Sequence, residues 1–400
     1  MKMQTILKEG KRLSKDIDEI FVRCGDRAAK YDRNNQFFIE DFEELKAANY
    51  LDMPIPKEFG GLGMNLHEVV QMQRRLAYHA APTALALNMH LYWVGLVADL
   101  WRKGDKSLEW ILTEAADGAV FAAGHAERGN HLPLVYSSTK AVKVEGGYRF
   151  WGKKSFGSLS PVWDFLGIHA MDDTDPENPK IIHAFMHRDV PGFEIEKTWD
   201  DVLGMRATRS DDTVLNGVFI ADKYIARSLP VGFKGGDAFS LGTFAWPLLG
   251  FGNVYCGLAE KSFDMLLENV QHKKSIPFPN GMKNHPYVQS GVAQIYMKLE
   301  AIKAHLDSVS LDWANEIDHG DMWPIKIANA KKHAVEEAFS VVRKVFELSG
   351  GYGIFPKSGI ERLYRDASIG ILHPANGMVT EEITGGVLCG SDLDAQPRWG

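Results

Sequence analysis

The sequence predicts an α+β protein, with an N-terminal α-helical domain, a middle β-domain of barrel or sandwich type and a C-terminal four-helix bundle. Three observations carry this. Apolar residues recur at helical spacing through the first 120 residues. From about Val120, β-branched and polar residues alternate. After Gly236, four long helical patterns are separated by short breaks rich in Pro and Gly. These changes of texture put the domains at 1–119, 120–230 and 231–400, and 400 residues are enough for two or three domains with a sizeable core.

Taken in order, Met1–Glu9 alternates charge with apolar residues as a surface helix does. Phe37–Ala48, Leu66–Tyr78 and Thr83–Trp101 follow as helices, and two prolines with three glycines make Pro54–Gly63 a loop. In the middle third, Leu134–Val144 reads as a strand, Glu145-Gly146-Gly147 as a tight turn and Tyr148–Trp151 as the returning partner. Further strands are predicted at Phe165–Ala170, Ile181–His187 and Thr213–Ile220. The last helices are predicted at 238–272, 286–317, 324–349 and 376–389, broken at Pro277–Gly281, His319–Pro324 and Gly350–Gly353.

Lys+Arg 45 against Asp+Glu 52 gives a net charge of −7 without a basic cluster, which argues against nucleic acid as a partner. Three scattered cysteines, Cys24, Cys256 and Cys389, make neither a disulfide scaffold nor a metal set and point to a reducing, cytoplasmic compartment. Ala238–Ala259 runs 22 residues without charge or histidine, long enough to span a bilayer. Its internal Pro247 and glycines and its acidic flanks, Asp237 and Glu260, favour a buried bundle helix over a membrane span. The 14 histidines show no metal-binding spacing: His285, His319 and His333 are isolated, and His183 and His187 share a strand face too far apart for one ion.

Four short motifs give the chain a family likeness. Pro56-Lys-Glu-Phe-Gly-Gly-Leu-Gly63, Gly152-Lys-Lys-Ser-Phe-Gly-Ser158, Leu203-Gly-Met-Arg-Ala-Thr208 and Gly350-Gly-Tyr-Gly with Arg365-Asp366 occur in this order along essentially the whole chain. The set resembles the acyl-CoA dehydrogenase family of flavoproteins. The resemblance implies that family's fold, with its middle β-barrel and four-helix bundle, and FAD as cofactor. It also implies an oxidoreductase passing hydride from an acyl thioester to flavin N5, and a homodimer or homotetramer with an electron-transfer partner.

It further implies a set of cofactor residues. Phe156 takes the family's Trp position beside the isoalloxazine, with Gly157 next to it and Ser158 at the Thr position near N5. Gly124 or His125 and Gly129-Asn130 fall on the flavin loop. Gly350 and Gly351, with Glu347 in place of a Gln, approach a neighbouring subunit's flavin, and Lys273 or Lys274 takes the place of the arginine on the pyrophosphate. Asn376 falls in the segment of the family's catalytic glutamate.

Two departures bear on the chemistry. At the glutamate position this chain reads Pro374-Ala375-Asn376, and at the alternative position it has Ala245, with Trp246 in place of a substrate-binding arginine. Removal of a thioester α-proton needs a base within hydrogen-bond reach. His373 is the candidate base, and His125 and Glu127 lie on the flavin loop. Alternatives to acyl dehydrogenation are a flavin-dependent monooxygenase or oxidase on the same fold, or a catalytically silent flavoprotein subunit.

Overall fold

A computed structural model describes residues 11–132 and 134–395, so the expected helix at Met1–Glu9 lies outside the described residues. The N-terminal part holds α1 (Ile17–Arg33), α2 (Ile39–Ala47), α3 (Leu66–Arg102) and α4 (Glu109–Ala116). Helix α1 buries Ile17, Ile20, Phe21, Cys24, Ala28 and Tyr31, spaced to form one face. The capping box of Asn65 and Glu68 starts α3. The two helices expected at 66–78 and 83–101 are the two halves of α3, joined across a kink. Ala80 leaves helical geometry (φ −144°, ψ 77°) just before Pro82, which lacks an N–H and crowds the preceding turn.

The strands are β1 (Phe121–Gly124), β2 (Lys140–Val144), β3 (Gly147–Gly157), β4 (Phe165–Asp172), β5 (Lys180–His187), β6 (Phe193–Glu196), β7 (Asp211–Ala221) and β8 (Ile225–Pro230). They form one sheet in the order β6-β7-β3-β2-β4-β5-β8, with β1 parallel to β4. Among the described residues β6 and β8 do not pair, so the sheet is open and the barrel expectation is corrected. The strand expected to start at Leu134 starts at Lys140. Leu134 is left-handed (φ 85°), Tyr136 N–H turns back to the Leu132 carbonyl, and Ser137–Thr139 bond the Glu127 carboxylate. Side-chain hydrogen bonds thus replace the ladder there.

The C-terminal part holds α5 (Ala238–His272), α6 (Pro286–Ala314), α7 (Trp323–Ser349), α8 (Ile360–Ile369) and α9 (Gly377–Cys389). The uncharged run forms most of α5. Among the described residues, no helix is long and apolar enough to cross a membrane. Helix α5 packs on α6 and α7 and also lengthwise on α3, while α9 lies on α7. One core joins residues of all three parts of the chain, so α5 and α6 pack on α3 as well as on α7.

Candidate functional site

The loop that the family resemblance assigns to flavin, called the flavin loop below, follows β1. Ser155 N–H donates to the Ala126 carbonyl at 2.9 Å, tying the loop to the end of β3. At the centre of the loop the buried Glu127 carboxylate accepts from Thr139 Oγ1 (2.6 Å), Ser137 Oγ (2.7 Å), Ser138 N–H (2.8 Å) and Asn130 Nδ2 (2.9 Å), and from the Lys154 ammonium. Burial alone raises a carboxyl's pKa, but the Lys154 charge and these donors hold Glu127 well below the usual range. Asn130 also donates to the Tyr136 carbonyl at 2.8 Å, and Gly129 turns the loop at φ 77°.

At the end of β3 the register with β7 breaks between Lys154 and Gly157. Phe156 sits in left-handed geometry (φ 62°) with 62% of its surface exposed and its ring edge-on to Trp199 at 6.0 Å. Exposed phenylalanine on a strained backbone is unusual and concentrates at functional sites. Leu159 (φ 68°), Met205 (φ 53°) and Arg209 (φ 45°) are strained alongside it. The two segments are sewn together by a hydroxyl cluster, in which Ser210 Oγ lies 2.7 Å from both Ser158 Oγ and Thr208 Oγ1. Met205 N–H donates to Asp366 Oδ1 at 2.6 Å, which joins the third motif to the Arg-Asp pair of α8. Burial pushes the Asp366 carboxyl up to about 6.

His373 is half-buried, stacked on Phe251 at 4.7 Å, with Nε2 2.9 Å from the Tyr255 hydroxyl. Burial, reinforced by the Lys331 charge, pushes it down to about 3. The buried Lys331 ammonium donates to the carbonyls of His373 (2.8 Å) and Ala375 (3.1 Å), and burial pushes it down to about 7. Asn376 caps α9 by accepting from Val379 N–H at 3.0 Å. Ala245 is fully buried. Trp246 lies against Gly95, where a Cβ would land on its indole, and donates to Asp99 Oδ2 at 2.8 Å.

A third corner joins Lys273, whose ammonium donates to the Ser349 carbonyl at 2.8 Å, to the Gly350 turn (φ 63°) beside it. Glu347 near this corner accepts from Tyr287 and from Lys344 (3.0 Å). Among the described residues, no hydrogen bond or ion pair links this corner to the sheet residues of the flavin loop. The two described cavities, of about 120 and 280 Å³, lie away from Phe156 and the flavin loop.

Chain spacing missed a row of histidines. His169 on β4 pairs in register with His183 on β5, and the parallel register of β1 on β4 places His125 beside His169. His125 lies at the end of this row nearest the flavin loop. No chain-spacing rule shows this, because each residue comes from a different strand. For a planar ring with polar edges, the exposed Phe156, the buried unpaired Ser155 Oγ next to it and the hydroxyls of Ser158 and Ser210 are a fitting surface.

The family models for the acyl-CoA dehydrogenase N-terminal domain and C-terminal domain match residues 15–107 and 249–377, together more than half of the chain. The Bacillus subtilis (strain 168) protein named as acyl-CoA dehydrogenase YdbM is 27% identical over 351 residues, 87% of this chain and 88% of the relative. L-evernosamine nitrososynthase of a Micromonospora species is 26% identical over 94% of this chain and 89% of its own. Dibenzothiophene monooxygenase of Mycolicibacterium goodii is 24% identical over 84% and 83%. Among solved structures, KijD3 in complex with FMN and dTDP-3-amino-2,3,6-trideoxy-4-keto-3-methyl-D-glucose superposes with TM-score 0.83 at 24% identity, covering 96% of this chain and 94% of that one. With both domain models matched in order around a flavin-loop sheet, this chain belongs to the acyl-CoA dehydrogenase family of flavoproteins.

Proposed function

We propose that this chain is a flavin-dependent oxidoreductase that uses O2 to oxygenate a nucleophilic nitrogen or sulfur atom, and not an α,β-dehydrogenase of acyl thioesters. The observation that carries this is the absence of a usable base where the family carries one. Pro374-Ala375-Asn376 and Ala245 hold no carboxylate, and Asn376 is spent capping α9. His373, pushed down to about 3 and bonded to Tyr255, takes up no proton near neutrality and hydrogen-bonds as a neutral imidazole. The relatives that oxygenate an amine or a sulfur heterocycle, by their names, support the same reading.

Bound flavin supplies two-electron storage and reaction with O2. Phe156 would pack against its ring, Ser158 and the main chain of Gly124, His125 and Gly157 would meet its polar edge, and Gly129-Asn130 would hold the loop around it. Lys273 would supply one positive charge toward the phosphate end of FAD or FMN. Lys273, Glu347, Gly350 and Gly351 gather in a corner without a hydrogen bond to the loop of the same chain, which supports a site completed by a second copy in a homodimer or homotetramer.

The test uses purified protein loaded with FMN or with FAD. Flavin reduced by an external reductant is mixed with ¹⁸O2 and panels of primary amines and thioethers, and product label is read by mass spectrometry. In parallel, oxidised holoenzyme is mixed anaerobically with a panel of acyl-CoAs. Labelled product with no flavin bleaching by thioesters is expected, and bleaching by any acyl-CoA overturns the proposal.

A further inference from the structure

We propose that the cavity between the end of α1, the start of α8 and the segment carrying Arg206 is a binding site for a small phosphomonoester. The cavity has a volume of about 280 Å³ and is lined by Arg33, Arg206, Arg362 and Arg365, with Asp32 and Glu361. The four arginines come from three stretches far apart in the chain, and Arg206, Arg362 and Arg365 are half-buried. Like charges gathered at one concavity repel one another and lose hydration, and a bound anion relieves both costs. The chain as a whole has a net charge of −7, so this positive patch runs against its composition.

The two carboxylates do not neutralise the set, because one arginine takes both. The terminal nitrogens of Arg365 donate to Asp32 Oδ1 at 3.0 Å and Oδ2 at 2.6 Å, and its Nε donates to Glu361 Oε2 at 2.8 Å. Asp366, next along α8, accepts from Met205 N–H. Arg206 uses Nε on the Val202 carbonyl at 2.9 Å, which leaves its two terminal nitrogens. Arg33 and Arg362 make no hydrogen bond or ion pair among the described residues. Four guanidiniums against two carboxylates leave an excess of two positive charges at the cavity wall.

The donors select the ligand. All four cations are arginine, whose planar fork meets phosphate oxygens in pairs, where a lysine offers a point charge. A phosphomonoester carries close to two negative charges at neutral pH and three acceptor oxygens, which matches the excess, whereas a carboxylate carries one charge. Arg365 is held in place before any ligand arrives, by its two carboxylates and by the Leu203 carbonyl at 3.0 Å, so little freedom is lost on binding. Ile354, 59% exposed, and Pro356 give the cavity an apolar wall for an organic group that inorganic phosphate lacks. The volume lies just below the roughly 300–1,000 Å³ of drug-sized sites, which sets the ligand as small. No residue of the flavin loop lines the cavity, and neither does Phe156.

The experiment is isothermal titration calorimetry of the purified protein, flavin-free and saturated with FAD or FMN, against phenyl phosphate, inorganic phosphate and benzoate. Phenyl phosphate is expected to bind at one site per chain, with equal affinity whether or not flavin is present. It is expected to bind about tenfold tighter than benzoate, and tighter than inorganic phosphate. Arg362→Gln breaks no bond seen in the structure and is expected to weaken phenyl phosphate by about tenfold, with Arg362→Lys recovering part of the loss. Its unfolding midpoint without ligand should equal or exceed that of wild type, because a repelling charge has gone. Absence of phenyl phosphate binding, equal affinity for benzoate, or inorganic phosphate binding as tightly as the ester overturns the proposal. Binding that is lost once flavin is bound also overturns it, because the cavity then belongs to the phosphates of the flavin. So does full binding by a variant carrying both Arg33→Gln and Arg362→Gln. The readout is binding of a non-substrate probe, so its failure is separate from that of the proposed reaction.

Discussion

The carboxylate of Glu127 and the ammonium of Lys154 form an ion pair whose side chains are 0% and 1% exposed, at the point where the flavin loop meets the strand that carries Phe156. Desolvation of two charges is compensated only because the Glu127 carboxylate also accepts from Ser137, Ser138, Thr139 and Asn130. Breaking one side strands a buried charge. Glu127→Ala is expected to lose roughly 3–5 kcal/mol of stability in urea unfolding, and adding Lys154→Met to recover more than half of that. A single-variant loss under about 1 kcal/mol would refute this account.

Lys331 and His373 make stability rise with pH. Both are bases with folded values below their unfolded ones, so between the two values the unfolded chain binds the extra proton. For His373 the window runs from about 3 to 6.5, and stability is lost as pH falls through it. For Lys331 it runs from about 7 to 10.5, and stability grows as pH climbs. Wild type is expected to gain a few kcal/mol on Lys331→Met between pH 7 and 10. Urea midpoints of the two proteins that stay parallel across that range would contradict the burial of an uncompensated ammonium.

Trp246 fits against α3 because Gly95 has no side chain. A Cβ at Gly95 lands within the indole, and both Trp246 and Trp313 (3.0 Å) donate to Asp99 Oδ2. Gly95→Ala is expected to destabilise by about 1–3 kcal/mol through overpacking. In a Trp246→Leu background the same change is expected to cost much less, and a double-mutant cycle on thermal unfolding reads the difference. Additive effects would show that the two residues do not share this contact.

Phe156 combines a left-handed backbone with an exposed ring. Its left-handed backbone costs an L-residue about 1–2 kcal/mol, and its exposed ring recovers little. Phe156→Gly is expected to stabilise the flavin-free protein by about 1 kcal/mol while weakening flavin binding at least tenfold, with Phe156→Trp restoring affinity. Chemical denaturation and flavin fluorescence titration measure the two sides. Unchanged flavin affinity would remove Phe156 from the site.

Much of the architecture was legible. Helical spacing found α2, both halves of α3, and α5 to α7, and the motif order found the family. Local signals also existed for α1, whose buried face runs Ile17, Ile20, Phe21, Cys24, and for α8, whose face is Ile360, Leu363 and Ala367. The start of β2 was not legible, because what stops the ladder before Lys140 is a carboxylate ten or more residues earlier, at Glu127.

By itself the sequence determined the order of helical, strand and helical parts, the family, and the loss of carboxylates at Pro374–Asn376 and Ala245. These follow from local periodicity and short motifs, which are properties of neighbouring residues. The tertiary structure decided what stands in their place. Sheet register, and not chain spacing, lines up His125, His169 and His183, and burial, which no single segment specifies, sets His373 and Lys331 to hold or release their protons.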